Sequence, residues 1–202
     1  MVIIGVTGSI ASGKSTVTKF FIDLGAYLID WDVLGHAVML PQKRAWKGVV
    51  EYFGRDILNE DQTIDRQKLG AIVFKEPEKL QRLNQIVHPE IFREDERLVK
   101  KIRIKDPNAI IIKDVPLLTA EIKHTLVDKA VVVYASEENQ IRRLKERGFT
   151  EEEAKNRIGA HISINEKMKF ADFVIYNDGS MEETRRQVEN IYNQILFEGS
   201  RR

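Results

Sequence analysis

Apolar positions follow two patterns along this chain. Unbroken β-branched runs occupy Val2 to Val6, Ile110 to Ile112, Val131 to Tyr134 and Phe173 to Tyr176, with a shorter fifth at Tyr27 to Ile29. A run without alternation has no polar face, so each predicts a strand buried on both sides, as in parallel sheets covered by helices. Between the runs apolar residues recur at helical spacing. Two helix starts are readable from their caps, Thr150 with Glu153 and Ser180 with Glu183, a hydroxyl followed three residues later by Glu. Strands alternating with helices predict an α/β parallel sheet flanked by helices.

From about Ala45 to Lys105 the pattern changes. No β-branched run appears, and Leu80, Leu83, Ile86, Val87, Ile91, Phe92 and Leu98 recur at helical spacing. This predicts a helical substrate lobe, 45–105, inserted into a core of 1–44 and 106–202, with breaks near Gly54, Pro77, Pro89 and Pro107. No internal repeat is visible, and Gly199 to Arg202 reads as a frayed tail.

Composition narrows the class. The 202 residues are 43% hydrophobic and 31% charged, with 32 Lys plus Arg against 31 Asp plus Glu, a net charge of +1. Such a chain can bury a core, and its balanced charge gives no reason to expect nucleic acid as a partner. The absence of cysteine removes disulfides, zinc ribbons and thiol nucleophiles. No apolar run approaches the ~18 residues of a membrane span, and Met1 to Val6 lacks the basic flank and cleavage pattern of a signal peptide. A cytoplasmic protein without a membrane partner is expected; oligomeric state is not legible.

Gly8-Ser9-Ile10-Ala11-Ser12-Gly13-Lys14-Ser15 fits G-x-x-x-x-G-K-S/T directly after the first strand, with a helix opening at Lys14. The glycines let the backbone curl so that N–H groups point inward, the helix N-terminus adds about half a positive charge, and the lysine reaches terminal phosphates. The motif predicts nucleoside triphosphate bound by Gly8, Ala11, Ser12, Gly13, Lys14, Ser15 and Thr16, with the Ser15 hydroxyl on Mg2+. It does not say what is done with the nucleotide. Asp32-Val33-Leu34-Gly35 matches the D-x-x-G of GTP switches, but too close to the loop, and no Asn-Lys-x-Asp follows to read guanine.

Carboxylates stand where such a site needs them. If the chain stays extended after the second strand, Asp30 and Asp32 share a face, and one orients or deprotonates an acceptor hydroxyl. The alternative makes Asp32 the N-cap of the following helix. Asp114 ends an apolar strand, as a metal ligand does in this class, or simply forms a turn.

In the helix from Glu137 to Arg147, Arg142 has Glu138 and Glu146 at i,i+4 spacing. Arg143 and Arg147 share a face without such partners, and their repulsion is relieved if a triphosphate bridges them. Gly148 and the helix starting at Thr150 then predict a helical lid, about 137–170, closing over nucleotide. Asn177, after the last strand, offers the donor and acceptor an adenine edge requires, or belongs to a plain Asn-Asp-Gly turn.

Together these residues resemble the dephospho-CoA kinase family over essentially the whole chain. The matching stretches are Ile4 to Gly8 running into the loop, Ile29 to Asp32, Phe53-Gly54, Ile64-Asp65-Arg66, Val73-Phe74, His88-Pro89, Val115 to Leu118, Gln140 through Arg143 to Arg147, Arg157-Ile158, and Ala171-Asp172 with Asn177. The resemblance implies a P-loop kinase fold using ATP and Mg2+ to phosphorylate the ribose 3′-hydroxyl of dephospho-CoA, the last step of coenzyme A synthesis. It implies that Asp32 engages this hydroxyl, that Lys14 and Arg143 stabilise phosphate, that Asn177 meets adenine, and that Arg66 and His88 face the acceptor. The chain departs from the family's usual residues at Ser9 and Ala11, at Trp31, at Thr119-Ala120 before Glu121, and at His161. A nucleoside or nucleoside-monophosphate kinase, or a nucleotide-dependent regulatory switch, are the other readings of the loop.

Overall fold

The computed structural model describes residues 1–116, 118–160 and 162–199. In chain order the elements are β1 (Val2–Gly8), α1 (Lys14–Asp23), β2 (Tyr27–Asp30), α2 (Trp31–Val38), α3 (Arg44–Phe53), α4 (Arg66–Val73) and α5 (Pro77–Lys105). They continue with β3 (Ile110–Asp114), α6 (Ala120–Leu126), β4 (Lys129–Tyr134), α7 (Glu137–Glu146), α8 (Glu151–Gly159), α9 (Ile164–Lys169), β5 (Phe173–Tyr176) and α10 (Met181–Gly199). Two compact units result, 1–29 with 102–202, and 30–101.

The first unit is built on a five-stranded parallel sheet in the order β2-β3-β1-β4-β5. All five apolar runs are strands, and β1, β2, β3 and β4 are longer than the runs that signalled them. Alternation along β1 sorts its side chains. Ile4 and Val6 join Ile110, Ile112, Val131, Val133 and Ile175 against α1 (Val17, Phe20, Phe21) and α10 (Val188, Ile191, Ile195). Gly5 and Thr7 face the other way, where a Cβ on Gly5 would come within 2.9 Å of the Leu118 side chain. The order reverses at β1, with β3 on one side and β4 on the other, and at such switch points the loops at the strands' carboxyl ends open into a crevice.

A smaller apolar cluster joins the loop after β1 to the α7–α8 hairpin: Ala11, Leu144 and Ala154 are buried together, with Ile10, Ile141, Phe149 and Ile158 around them. The Thr150–Glu153 capping box starts α8 as expected, and the Ser180 and Glu183 side chains each accept from the other's backbone N–H at the start of α10.

The unit 30–101 is helical apart from one antiparallel bridge between Leu58 and Ile64. Breaks fall at Gly54 and ahead of Pro77, but the break expected at Pro89 does not occur. Pro89 lies inside the 29-residue α5. A mid-helix proline costs about 3 kcal/mol through the lost bond and its clash with the preceding turn. Val87, Ile91, Asp95 and Val99 form a buried i,i+4 stripe through the same stretch, and that packing holds the helix.

Candidate functional site

The segment between β1 and α1 is a tight concave loop. The Ser12 N–H donates to the Ser9 carbonyl at 3.2 Å, and the Gly13 carbonyl accepts from Thr16 and Val17 as α1 begins. Gly8 has no room for a side chain, since a Cβ would lie 2.7 Å from the Val133 carbonyl. Gly13 has φ 89, the left-handed region, and a Cβ there would strike the Asn177 amide. Ala11 is also left-handed, φ 56, which for an L side chain costs roughly 1–2 kcal/mol. Its methyl is buried against the α7–α8 hairpin, and that contact offsets the strain.

Lys14, the first residue of α1, donates through Nζ to Asp114 Oδ1 at the end of β3. The parallel register sets Asp114 beside Val6, two residues before the loop. Ser15 is exposed and Thr16 half-buried one step further along α1. These residues fit a nucleoside triphosphate. The leading N–H groups of α1 lie outside the helix's own ladder, Lys14 supplies a cation, and the Ser12 hydroxyl is buried without a hydrogen-bond partner among the described residues. The Ser15 hydroxyl and Asp114 carboxylate are hard oxygen donors of the kind Mg2+ takes while keeping several waters. No group of three or more potential metal-binding side chains occurs among the described residues.

Arg143 is turned onto the loop itself. Its Nη1 donates to the Ala11 and Ser12 carbonyls, each at 3.1 Å, and Nη2 donates to the Asn177 carbonyl at 2.6 Å. A loop that turns its N–H groups inward leaves carbonyls pointing out, and a guanidinium fork satisfies several at once. Burial, and then the charge of Arg142, hold the Arg143 pKa below the usual arginine value. Arg147 caps the end of α7 and is exposed. Arg142 pairs with Glu146 at 2.8 Å as expected, but its second partner is Asn139 rather than Glu138.

Asn177 is turned into the protein. Its Nδ2 donates to the Ser12 carbonyl at 2.7 Å, its Oδ1 accepts from the Thr184 hydroxyl at 2.9 Å, and the residue is 5% exposed. The side chain expected at adenine therefore buttresses the loop. Asp178 accepts from the Ser136 N–H and the Asn139 amide, which fastens the same turn to the start of α7.

Lys167, on α9, is a site residue that sequence reasoning missed. It is 2% exposed, and its Nζ donates to Thr7 Oγ1 at 3.1 Å, the Gly8 carbonyl at 3.0 Å and the Pro116 carbonyl at 2.9 Å. Burial, reinforced by the nearby charge of Lys14, lowers its pKa to about 8. In the sequence it sits within Glu166-Lys167-Met168-Lys169, where nothing separates it from a solvated lysine.

The remaining candidates lie in the unit 30–101. Asp30 and Asp32 do not share an extended face, because α2 begins at Trp31. Asp30, not Asp32, is the N-cap, its Oδ1 accepting from the Asp32 and Val33 N–H groups at 2.9 and 3.0 Å. Asp32 is left exposed in the first turn. Trp31 packs edge-on against Phe92 and donates its indole N–H to Asp95 Oδ1 at 3.0 Å. Arg66 opens α4 behind the Asp65 cap, and its guanidinium touches His36 Nε2. Both line a 430 Å³ cavity with Leu40, Leu69, Phe74 and Leu83. His88 lies in a different, shallower depression with Asn84, Gln85 and Phe92. The Thr119 hydroxyl donates to Glu121 Oε2 at 2.7 Å, so the displaced glutamate pairs with its own neighbour at the start of α6. Leu117 and His161 lie outside the described residues.

Over residues 2–183 the chain matches the family model described as dephospho-CoA kinase. It is 45% identical over 197 residues to the dephospho-CoA kinase of Syntrophus aciditrophicus, spanning 97% of this chain and 84% of that one. It is 46% identical over 192 residues to the dephospho-CoA kinase of Geobacillus kaustophilus, spanning 95% of each. A crystal structure from Thermus thermophilus superposes with a TM-score of 0.79 at 29% identity, across 96% of this chain and 97% of that one. A likeness that runs through the phosphate loop, the helical lobe and the α7–α8 hairpin alike means that the chain belongs to the dephospho-CoA kinase family.

Proposed function

We propose that Lys14 and Arg143 organise the ATP phosphates while Asp32 engages the ribose 3′-hydroxyl of dephospho-CoA, which receives the γ-phosphoryl group. Kinase activity on dephospho-CoA, the final step of coenzyme A synthesis, follows from family membership, and ATP is the donor such a kinase uses. The observation that carries the phosphate-site assignment is the Lys14–Asp114 pair at the mouth of a loop whose carbonyls are held from behind by Arg143. Such a site catalyses mainly by positioning and by charge fixed in advance, which is what phosphoryl transfer demands of a protein. Mg2+, held by Ser15 and through water by Asp114, would neutralise charge on the phosphates.

The unit 30–101 is the acceptor lobe in this reading. Its support is the cavity beside Arg66 and His36, where a cation stands at the rim of a mostly apolar pocket, a pairing suited to a diphosphate with a long organic arm. No helix among the described residues is long and apolar enough to cross a membrane, and the enzyme is placed in the cytoplasm on this reading. The test is Mg2+-dependent ADP release with dephospho-CoA, AMP and adenosine offered separately and coenzyme A identified by mass. Turnover confined to dephospho-CoA is expected. Turnover on AMP or adenosine alone would overturn the acceptor and keep the phosphate site.

A further inference from the structure

We infer that Lys167 is a positioning residue for phosphoryl transfer, its buried ammonium clamping the first residues of the phosphate loop to the segment that follows Asp114. The inference rests on reading Gly8–Ser15 as the phosphate cradle, and it concerns a residue on none of the motifs that define that cradle. Three acceptors surround Nζ: the Thr7 hydroxyl, the Gly8 carbonyl and the Pro116 carbonyl. An ammonium has three hydrogens and satisfies all three oxygens, whereas a neutral amine has two and would turn a lone pair on the third. The Thr7 hydroxyl also donates to the Pro116 carbonyl at 3.2 Å, so the four residues form one closed network.

The network's position gives it a function. Gly8 begins the cradle, and Pro116 stands two residues beyond Asp114, the partner of Lys14. One side chain from α9 thus fixes the relative place of the two chain segments that carry the catalytic lysine and its carboxylate. It also sets a positive charge beneath the loop, where little water screens it. The charged group facing it is Lys14, itself paired with Asp114. Burial and Lys14 together oppose the charge, and the pKa is lowered to about 8, where half the ammonium has lost its proton.

The experiment compares wild type with Lys167→Met, Lys167→Arg and, as a control, Lys169→Met, whose exposed side chain pairs with Glu166. ADP affinity, kcat and the pH dependence of kcat/KM for ATP are read, with folding checked by circular dichroism. Lys167→Met is expected to lower kcat about 10²-fold, the usual effect of losing one preorganised donor, and to weaken ADP several-fold. The Lys169 control stays within about twofold. In the wild type kcat/KM falls above about pH 8, and Lys167→Arg, which cannot lose its charge, removes that limb while retaining more activity than Lys167→Met.

A folded Lys167→Met protein with wild-type kcat and ADP affinity overturns the inference. If Lys167→Met does not fold, Lys167→Gln is read in the same way, and wild-type kcat and ADP affinity in that folded protein overturn it equally. Because ADP affinity is measured without acceptor, a wrong acceptor assignment shows as absent turnover in every protein and leaves the comparison of binding intact.

Discussion

Arg143 and Asn177 converge on one atom, the Ser12 carbonyl oxygen, at 3.1 and 2.7 Å, while the Arg143 guanidinium also holds the Asn177 backbone carbonyl at 2.6 Å. The triangle ties α7, the turn after β5 and the phosphate loop together. Arg143→Lys keeps a charge but not the fork that reaches three carbonyls. Arg143→Lys and Arg143→Ala are each expected to lower kcat/KM for ATP by about 10² or more, with ATP KM rising alongside the fall in kcat. Steady-state kinetics on the two variants check this, and an unchanged KM with lower kcat would assign Arg143 to the transition state alone.

Asp32→Asn is expected to lower kcat by about 10² to 10⁴, the range for a positioned acid or base, and to leave ATP binding near wild type. The exposed carboxylate caps nothing, since Asp30 has that task, so stability changes little. Lys14→Ala removes both turnover and phosphate affinity. Near-normal kcat in Asp32→Asn would exclude its role at the hydroxyl.

Trp31→Phe keeps an aromatic ring beside Phe92 but deletes the indole donor to the buried Asp95 carboxylate. Stability is expected to fall by about 1–3 kcal/mol. Urea unfolding measures it, and pairing the change with Asp95→Asn in a double-mutant cycle isolates the bond. Additive effects would show that the bond contributes nothing.

Lys167 gives stability a pH dependence of known sign. Its native pKa, about 8, lies below the 10.5 of an ordinary lysine, so between these values the unfolded chain holds the proton more often. Stability due to this group therefore rises with pH across that interval and is level on either side. Unfolding free energies of wild type minus Lys167→Met, taken from pH 7.5 to 10.5, should move in favour of the wild type. A flat difference would mean that burial does not depress the lysine.

The sheet was legible because parallel strands buried on both faces leave unbroken apolar runs, and the loop because its glycines and lysine sit at fixed spacing. The two aspartates after β2 were harder. Asp30-Trp31-Asp32 is compatible with an extended chain and with a helix start, and only the backbone decides which carboxylate caps and which is free. Arg143 and Arg147 posed the same difficulty, since helical spacing places both on a face but cannot reveal that main-chain carbonyls already await one of them. Lys167 and the His36–Arg66 contact were invisible for a simpler reason. Each depends on residues 30 to 160 positions apart in sequence, and a lone lysine or histidine carries no sign of what the fold will set against it.

Ala11 joins Leu144 and Ala154 in one apolar cluster, and Arg143 bonds the same loop from the same helix. The root of the α7–α8 hairpin and the apex of the loop are therefore packed and bonded together. On the proposed phosphate site, a swing of the hairpin from its base is expected to open the loop with it, so that ADP release and hairpin displacement share one rate. Backbone amides of Ser12 and Leu144 should then exchange with deuterium in concert, slowed by the same factor when ADP binds.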